Sequence, residues 1–189
     1  MKRIVRKERF YPDRPEVVWE ALTNPAALAE WLMPNNFRAE AGASFEFRTD
    51  PTPVCGTGVH RCQVVAIEPP RRMVWSWTRD LGGTDAAKTL PPMTVSWTLT
   101  PQQGGTRLVL EQSGFEGQGW LIRLLMSIGW SLMLRRSVPR VLGRMSQTGG
   151  VVRFTPGAIP LAKRNYRCTS VPAAYLQGTA AAHSTGGAS

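Results

Sequence analysis

Through the middle of the chain, hydrophobic positions recur at every second residue. Residues 93–100 alternate most cleanly, with Met93, Val95, Trp97 and Leu99 set against Thr94, Ser96, Thr98 and Thr100. Residues 72–79 place Met73, Trp75 and Trp77 opposite Val74, Ser76 and Thr78, and residues 44–49 set Phe45 and Phe47 against Glu46 and Arg48. A period of two predicts strands with one buried face. Six strands are expected, over 4–11, 44–49, 59–68, 72–79, 93–100 and 106–113. Pro12, the Pro/Gly-rich stretch 50–58, Pro69-Pro70, the polar loop 80–92 and the turn 101–105 separate them. Links this short imply antiparallel pairing, because parallel neighbours need a long crossover.

Three segments depart from that period. Residues 15–23 carry an apolar stripe of Val18, Trp19 and Leu22, opened by Pro15 with Asp13 as the expected cap and Glu16 at the positive end of the dipole. Pro25 opens a second short helix that runs to Trp31. From Gly119 to about Met145 a longer helix is expected. Its apolar residues Trp120, Leu121, Leu124, Leu125, Ile128, Leu132 and Leu134 cover more than one narrow stripe, which predicts a helix embraced by other elements. Gly129 and Pro139 are expected to bend it, and Arg135, Arg136, Arg140 and Arg144 make its far end cationic. The order β-α-α-β(several)-α describes an α+β fold with a bent sheet and one long terminal helix.

Residues 1–145 form one expected domain. Residues 146–189 lack any sustained period, are rich in Ser, Thr, Ala and Gly, and are expected to be a largely disordered basic tail with a brief docking point near Val151–Phe154, unless a shifted reading frame produced them. Charge sharpens this division. Of the net +10, residues 1–116 contribute almost nothing, with 14 basic against 13 acidic side chains, while residues 117–189 hold nine basic and no acidic residue. Such asymmetry favours a weak contact with an anionic surface through the basic region. No nucleic-acid recognition motif accompanies the charge. Three cysteines without a Cys-x-x-Cys spacing suggest a reducing cytoplasm rather than a disulfide framework. The basic start has no apolar run behind it, and no uncharged stretch approaches the roughly 20 residues of a membrane span.

The pieces Pro15-Glu16-Val17-Val18-Trp19-Glu20-Ala21-Leu22-Thr23 with Trp31, Pro69-Pro70-Arg71-Arg72-Met73-Val74-Trp75-Ser76-Trp77, and Thr94-Val95-Ser96-Trp97-Thr98-Leu99 occur in one order. Gly104-Gly105-Thr106-Arg107-Leu108, Ser113-Gly114-Phe115 and Gly129-Trp130 complete the set. Together, over about residues 4–145, they resemble the activator-of-heat-shock-ATPase-homologue branch of the START-like superfamily, the polyketide cyclase/dehydrase and lipid-transport (SRPBCC) group. The resemblance implies a helix-grip fold, in which a curved antiparallel sheet wraps a long C-terminal helix around an apolar cavity. Founding eukaryotic members stimulate a chaperone ATPase through a further N-terminal domain. The first strand here begins at the N-terminus, so that activity is not expected to carry over.

A small hydrophobic ligand is therefore the expected partner, held by Trp31, Phe45, Phe47, Trp75, Trp77, Val95, Trp97, Leu110, Leu124 and Ile128. Gln112 shares strand parity with Leu108 and Leu110, which directs its amide inward; many bacterial relatives carry a His there. Arg79, in register with Trp75 and Trp77, is expected at the cavity mouth. His60 and Gln112 are the candidates if the scaffold is instead a cyclase, aromatase or hydrolase. A protein-interaction module, for a chaperone or in gene regulation, is the third reading, and a homodimer stays open. His60, Cys62 and Cys55 fall short of a closed metal site. No phosphate loop or dinucleotide fingerprint occurs, so neither metal nor cofactor is expected.

Overall fold

A computed structural model describes residues 4–52, 56–80 and 91–176. Strand β1 (Val5–Tyr11) is followed by helices α1 (Pro15–Thr23) and α2 (Pro25–Trp31). Strands β2 (Ser44–Arg48), β3 (Val59–Glu68), β4 (Arg72–Arg79), β5 (Met93–Gln102) and β6 (Gly105–Ser113) come next. Helix α3 (Trp120–Leu132) passes through a π-helical turn (Met133–Ser137) into α4 (Val138–Leu142). The six strands make one sheet in the order β1-β6-β5-β4-β3-β2, antiparallel at every pairing. This is the α+β architecture expected from the pattern, and the helix-grip fold that the resemblance implies.

Strand parity sets which side chains face the core. Phe45 and Phe47, His60, Cys62 and Val64, Met73, Trp75 and Trp77, then Met93, Val95, Trp97 and Leu99 are all buried, with polar residues between most of them. The pairing register shifts between Val64 and Ala66. An irregularity of that kind bends a strand and increases its twist. At the helix pair, Asn24 Oδ1 accepts from the amides of Ala26 and Ala27, which caps α2. Asp13 does not cap α1: the cap position belongs to Arg14, without a side-chain bond, and the Asp13 carbonyl instead accepts from the Thr106 hydroxyl at 2.7 Å.

The bend expected between Gly129 and Pro139 is the π-helical turn, and its cause is local. Val138 N–H donates to Met133 O, one residue farther back than in an α-helix, and the next residue is Pro139, which has no N–H. The Leu134 carbonyl therefore lacks the usual backbone donor. Tyr11, buried at the end of β1, donates its hydroxyl to that carbonyl at 2.7 Å, and so ties the first strand to the last helix.

Residues 146–176, for which disorder is largely expected, instead carry structure, while 177–189 lie outside the described residues. Strands β7 (Met145–Thr148) and β8 (Val151–Phe154) form a hairpin. The chain then runs back along α2 and β2 as a strap. Glu30, itself buried, accepts from the amides of Gly157 at 2.6 Å and Ile159 at 2.7 Å. Arg164 donates to Ala29 O, and Asn165 to Trp31 O and the Ser137 hydroxyl. Asp50 accepts from the amide and hydroxyl of both Thr169 and Ser170. Tyr175 donates to Glu46 while Arg48 lies 5.0 Å above its ring. Ile159 and Val171 are buried. The strap is fixed mainly by acceptors that belong to the domain, so its own composition gives little sign of order.

Candidate functional site: a donor-rich aromatic interior

The inward faces of β2, β4 and β5 bring the expected aromatic set together. Trp75 lies 5.6 Å from both Phe45 and Trp97, and Phe47 stacks on Trp77 at 5.3 Å. Trp31 from α2 meets the edge of Trp97 at 5.9 Å, and Trp130 from α3 meets Trp97 at 5.4 Å and Trp77 at 6.2 Å. Most of these contacts are edge-to-face, a favoured geometry for aromatic pairs. The rings thus pack on one another as a continuous layer between sheet and helices. Val95 and Leu110 are buried beside that layer.

Polar groups are threaded through it. Gln112 is fully buried, as its parity predicts, and its Oε1 accepts from Trp130 Nε1 at 2.6 Å. Its amide nitrogen reaches only the sulfur of Met93, a weak acceptor, at 3.3 Å. His60 faces Arg79 across the β3–β4 ladder, and its Nδ1 accepts from Trp77 Nε1 at 3.3 Å. Burial, and then the Arg79 charge, depress the imidazole to about 4. At neutral pH His60 is therefore uncharged, with its proton on Nε2, because Nδ1 is the acceptor. Arg79 Nη2 donates to Gln118 Oε1 at 2.7 Å, so this rim cation is tied to the loop that leads into α3.

Among the described residues, three ring N–H donors in this interior have no acceptor. Trp75 Nε1, Trp97 Nε1 and His60 Nε2 are buried without a hydrogen-bond partner. Native proteins leave few such groups, and each costs about 1–3 kcal/mol if it stays unpaired.

Two expected ligand contacts lie elsewhere. Leu124 and Ile128 are exposed on α3, along with Trp120, Leu121, Leu125 and Leu132. Only Trp130 of α3 is buried, because this helix meets the body on one side, chiefly at β1, and is not embraced. Trp130 and Gln118 are the site residues that pattern reasoning passed over. The one signal for Trp130 was its place beside Gly129 in the family motif, and Gln118 stands in an aperiodic loop. Cys55 lies outside the described residues. Among the described residues no cluster of three His, Cys, Asp or Glu side chains could hold a metal ion. No helix among them is long and apolar enough to cross a membrane.

The family model for activator of Hsp90 ATPase homolog 1-like proteins matches residues 14–142. The chain belongs to that family. The crystal structure of MLL2253 from Mesorhizobium loti is similar at 32% identity, covering 76% of this chain and 99% of that one, with a TM-score of 0.64. DynU16, from the dynemicin biosynthetic locus, is similar at 26% identity over 74% of this chain and 47% of its own, with a TM-score of 0.59. The Aha1 dimer from Colwellia psychrerythraea, at 16% identity and a TM-score of 0.53, covers 70% of this chain and 90% of that one and shares the fold alone. No curated protein matches. The matched span in this member of the Activator of Hsp90 ATPase homolog 1-like family includes every residue of the ring layer and its polar groups.

Proposed function

We propose that this protein binds a small apolar molecule that carries hydrogen-bond acceptors, held in the aromatic interior against the inner face of the sheet. The observation that carries the reading is the set of three buried donors without acceptors, Trp75 Nε1, Trp97 Nε1 and His60 Nε2. A purely apolar occupant would leave them unpaired, whereas ring carbonyls or ether oxygens supply what they lack. Gln112 sets the orientation of Trp130. Arg79 and Gln118 stand at the strand end, where they order the loop before α3. His60 serves as a neutral donor in this reading. An imidazole held near 4 is a weak general base, so the cyclase or hydrolase alternative gains nothing from it.

The test compares planar aromatic ketones or quinones with hydrocarbons of matched size. Binding is followed by quenching of tryptophan emission and by the shift in melting temperature. Oxygen-bearing ligands should bind more tightly by about tenfold for each donor satisfied. Trp97→Phe, which deletes one donor and keeps a ring, should remove one such factor. Equal affinity for the hydrocarbons, or no response to either class, would sink the proposal.

A further inference from the structure

Helix α3 presents two very different faces. Trp130 continues into the buried Met133 and Leu134, while Trp120, Leu121, Leu124, Leu125, Ile128 and Leu132 are exposed. With 3.6 residues per turn, these six fall within an arc of roughly 140°, one unbroken stripe. Ile4, exposed just ahead of the edge strand β1, lines the same groove as Trp120 and Leu124 and widens it. Apolar residues scattered singly over a surface need no explanation, but a contiguous stripe of this kind marks an interaction site.

The same run is cationic. Arg123, Arg135, Arg136, Arg140 and Arg144 are all exposed, and no acidic residue occurs from position 117 onward. We propose that this face docks on an anionic lipid surface. In this arrangement α3 lies in the headgroup plane, Trp120 and the leucines enter the acyl boundary, and the arginines rest on phosphates. Composition of this type is that of an interfacial helix.

Charge complementarity selects this occupant over a second copy of the chain. A two-fold dimer sets one part of the patch against another part of the same patch, and with no acidic residue from position 117 onward the helix offers no carboxylate to a partner copy's arginines. A bilayer offers an apolar layer and a plane of anions a few ångströms apart. The inference rests on α3 and its flanks alone. It stands or falls separately from ligand binding in the interior.

The experiment uses the full chain with vesicles of phosphatidylcholine, alone or with a one-third share of phosphatidylglycerol. Co-sedimentation should occur with the mixed vesicles, weaken as salt is raised, and be nearly absent with phosphatidylcholine alone. Replacing Leu121 or Leu125 by Ser should weaken binding about tenfold each, and Arg135→Gln or Arg136→Gln about fivefold each. These side chains are exposed, so circular dichroism and the melting temperature should not change. Of the seven tryptophans only Trp120, at 69% exposure, stands outside the protein, the other six being buried. Lipids brominated along their acyl chains should therefore quench emission in the parent and not in Trp120→Phe.

Equal binding to both vesicle types overturns the proposal, as does quenching that persists in Trp120→Phe. So does sedimentation equilibrium showing a dimer that the leucine variants dissociate, with no vesicle binding by the parent.

Discussion

The strap is held chiefly by two domain carboxylates, and Glu30→Ala tests the deeper of them. Its side chain is 2% exposed and accepts two backbone amides at 2.6 and 2.7 Å. Hydrogen bonds to a charged acceptor contribute about 1.5–3 kcal/mol each. Truncation removes both and leaves the buried Ile159 amide without a partner. It also deprives the half-buried Arg164 of a favourable neighbouring charge. Strap docking should lose about 3–5 kcal/mol, most of what a segment with only two buried apolar anchors can gain from packing. The loss should be local. Trypsin should then cut at Lys163, Arg164 and Arg167 far faster than in the parent, as read by mass spectrometry over time. The main unfolding transition, followed by the buried tryptophans, should move much less. Unchanged protease resistance in Glu30→Ala would refute the account of how the strap is held.

Other perturbations have equally definite outcomes. Tyr11→Phe strands the Leu134 carbonyl and should cost about 1–3 kcal/mol in urea unfolding, with little change in the size of the transition. Burial depresses His60 to about 4 from its ordinary 6.5, so the unfolded chain binds the extra proton first as pH falls. Its contribution is complete above pH 6.5 and declines down to about 4, by about 3 kcal/mol in all. His60→Gln should flatten the stability profile across that window, and an unchanged slope would show that the imidazole is not buried neutral. Gly58 has a φ of +79°, and a Cβ there would lie 2.1 Å from the Thr49 carbonyl oxygen. Gly58→Ala should therefore destabilise the β2–β3 hairpin by at least about 2 kcal/mol in thermal melting.

Periodicity made the sheet readable. Each of the six strands of the main sheet was expected within two residues of its observed bounds, because one buried face and one polar face leave a clear alternation. The same parity argument placed Gln112 inside correctly. Helical periodicity misled at α3, where apolar residues over more than one narrow stripe predicted a helix embraced by other elements. The sequence is apolar there for two reasons, packing behind and an uncovered stripe in front, and hydrophobicity cannot separate them. Most of the order in residues 146–176 was hidden for a different reason. Glu30 and Asp50 sit more than a hundred positions from the amides they accept, so no local pattern could announce the bonds.

The phenol–carbonyl link from Tyr11 to Leu134 spans 123 positions, and among the described residues β1 pairs with β6 alone. On a ribosome, the first-made ribbon of the main sheet must therefore wait for that sheet's last-made one before it can close. At about 5–20 residues per second, that delay is on the order of ten seconds. Throughout it, the nascent amino-terminal edge has no native mate, and this is the interval in which holding factors have most to protect.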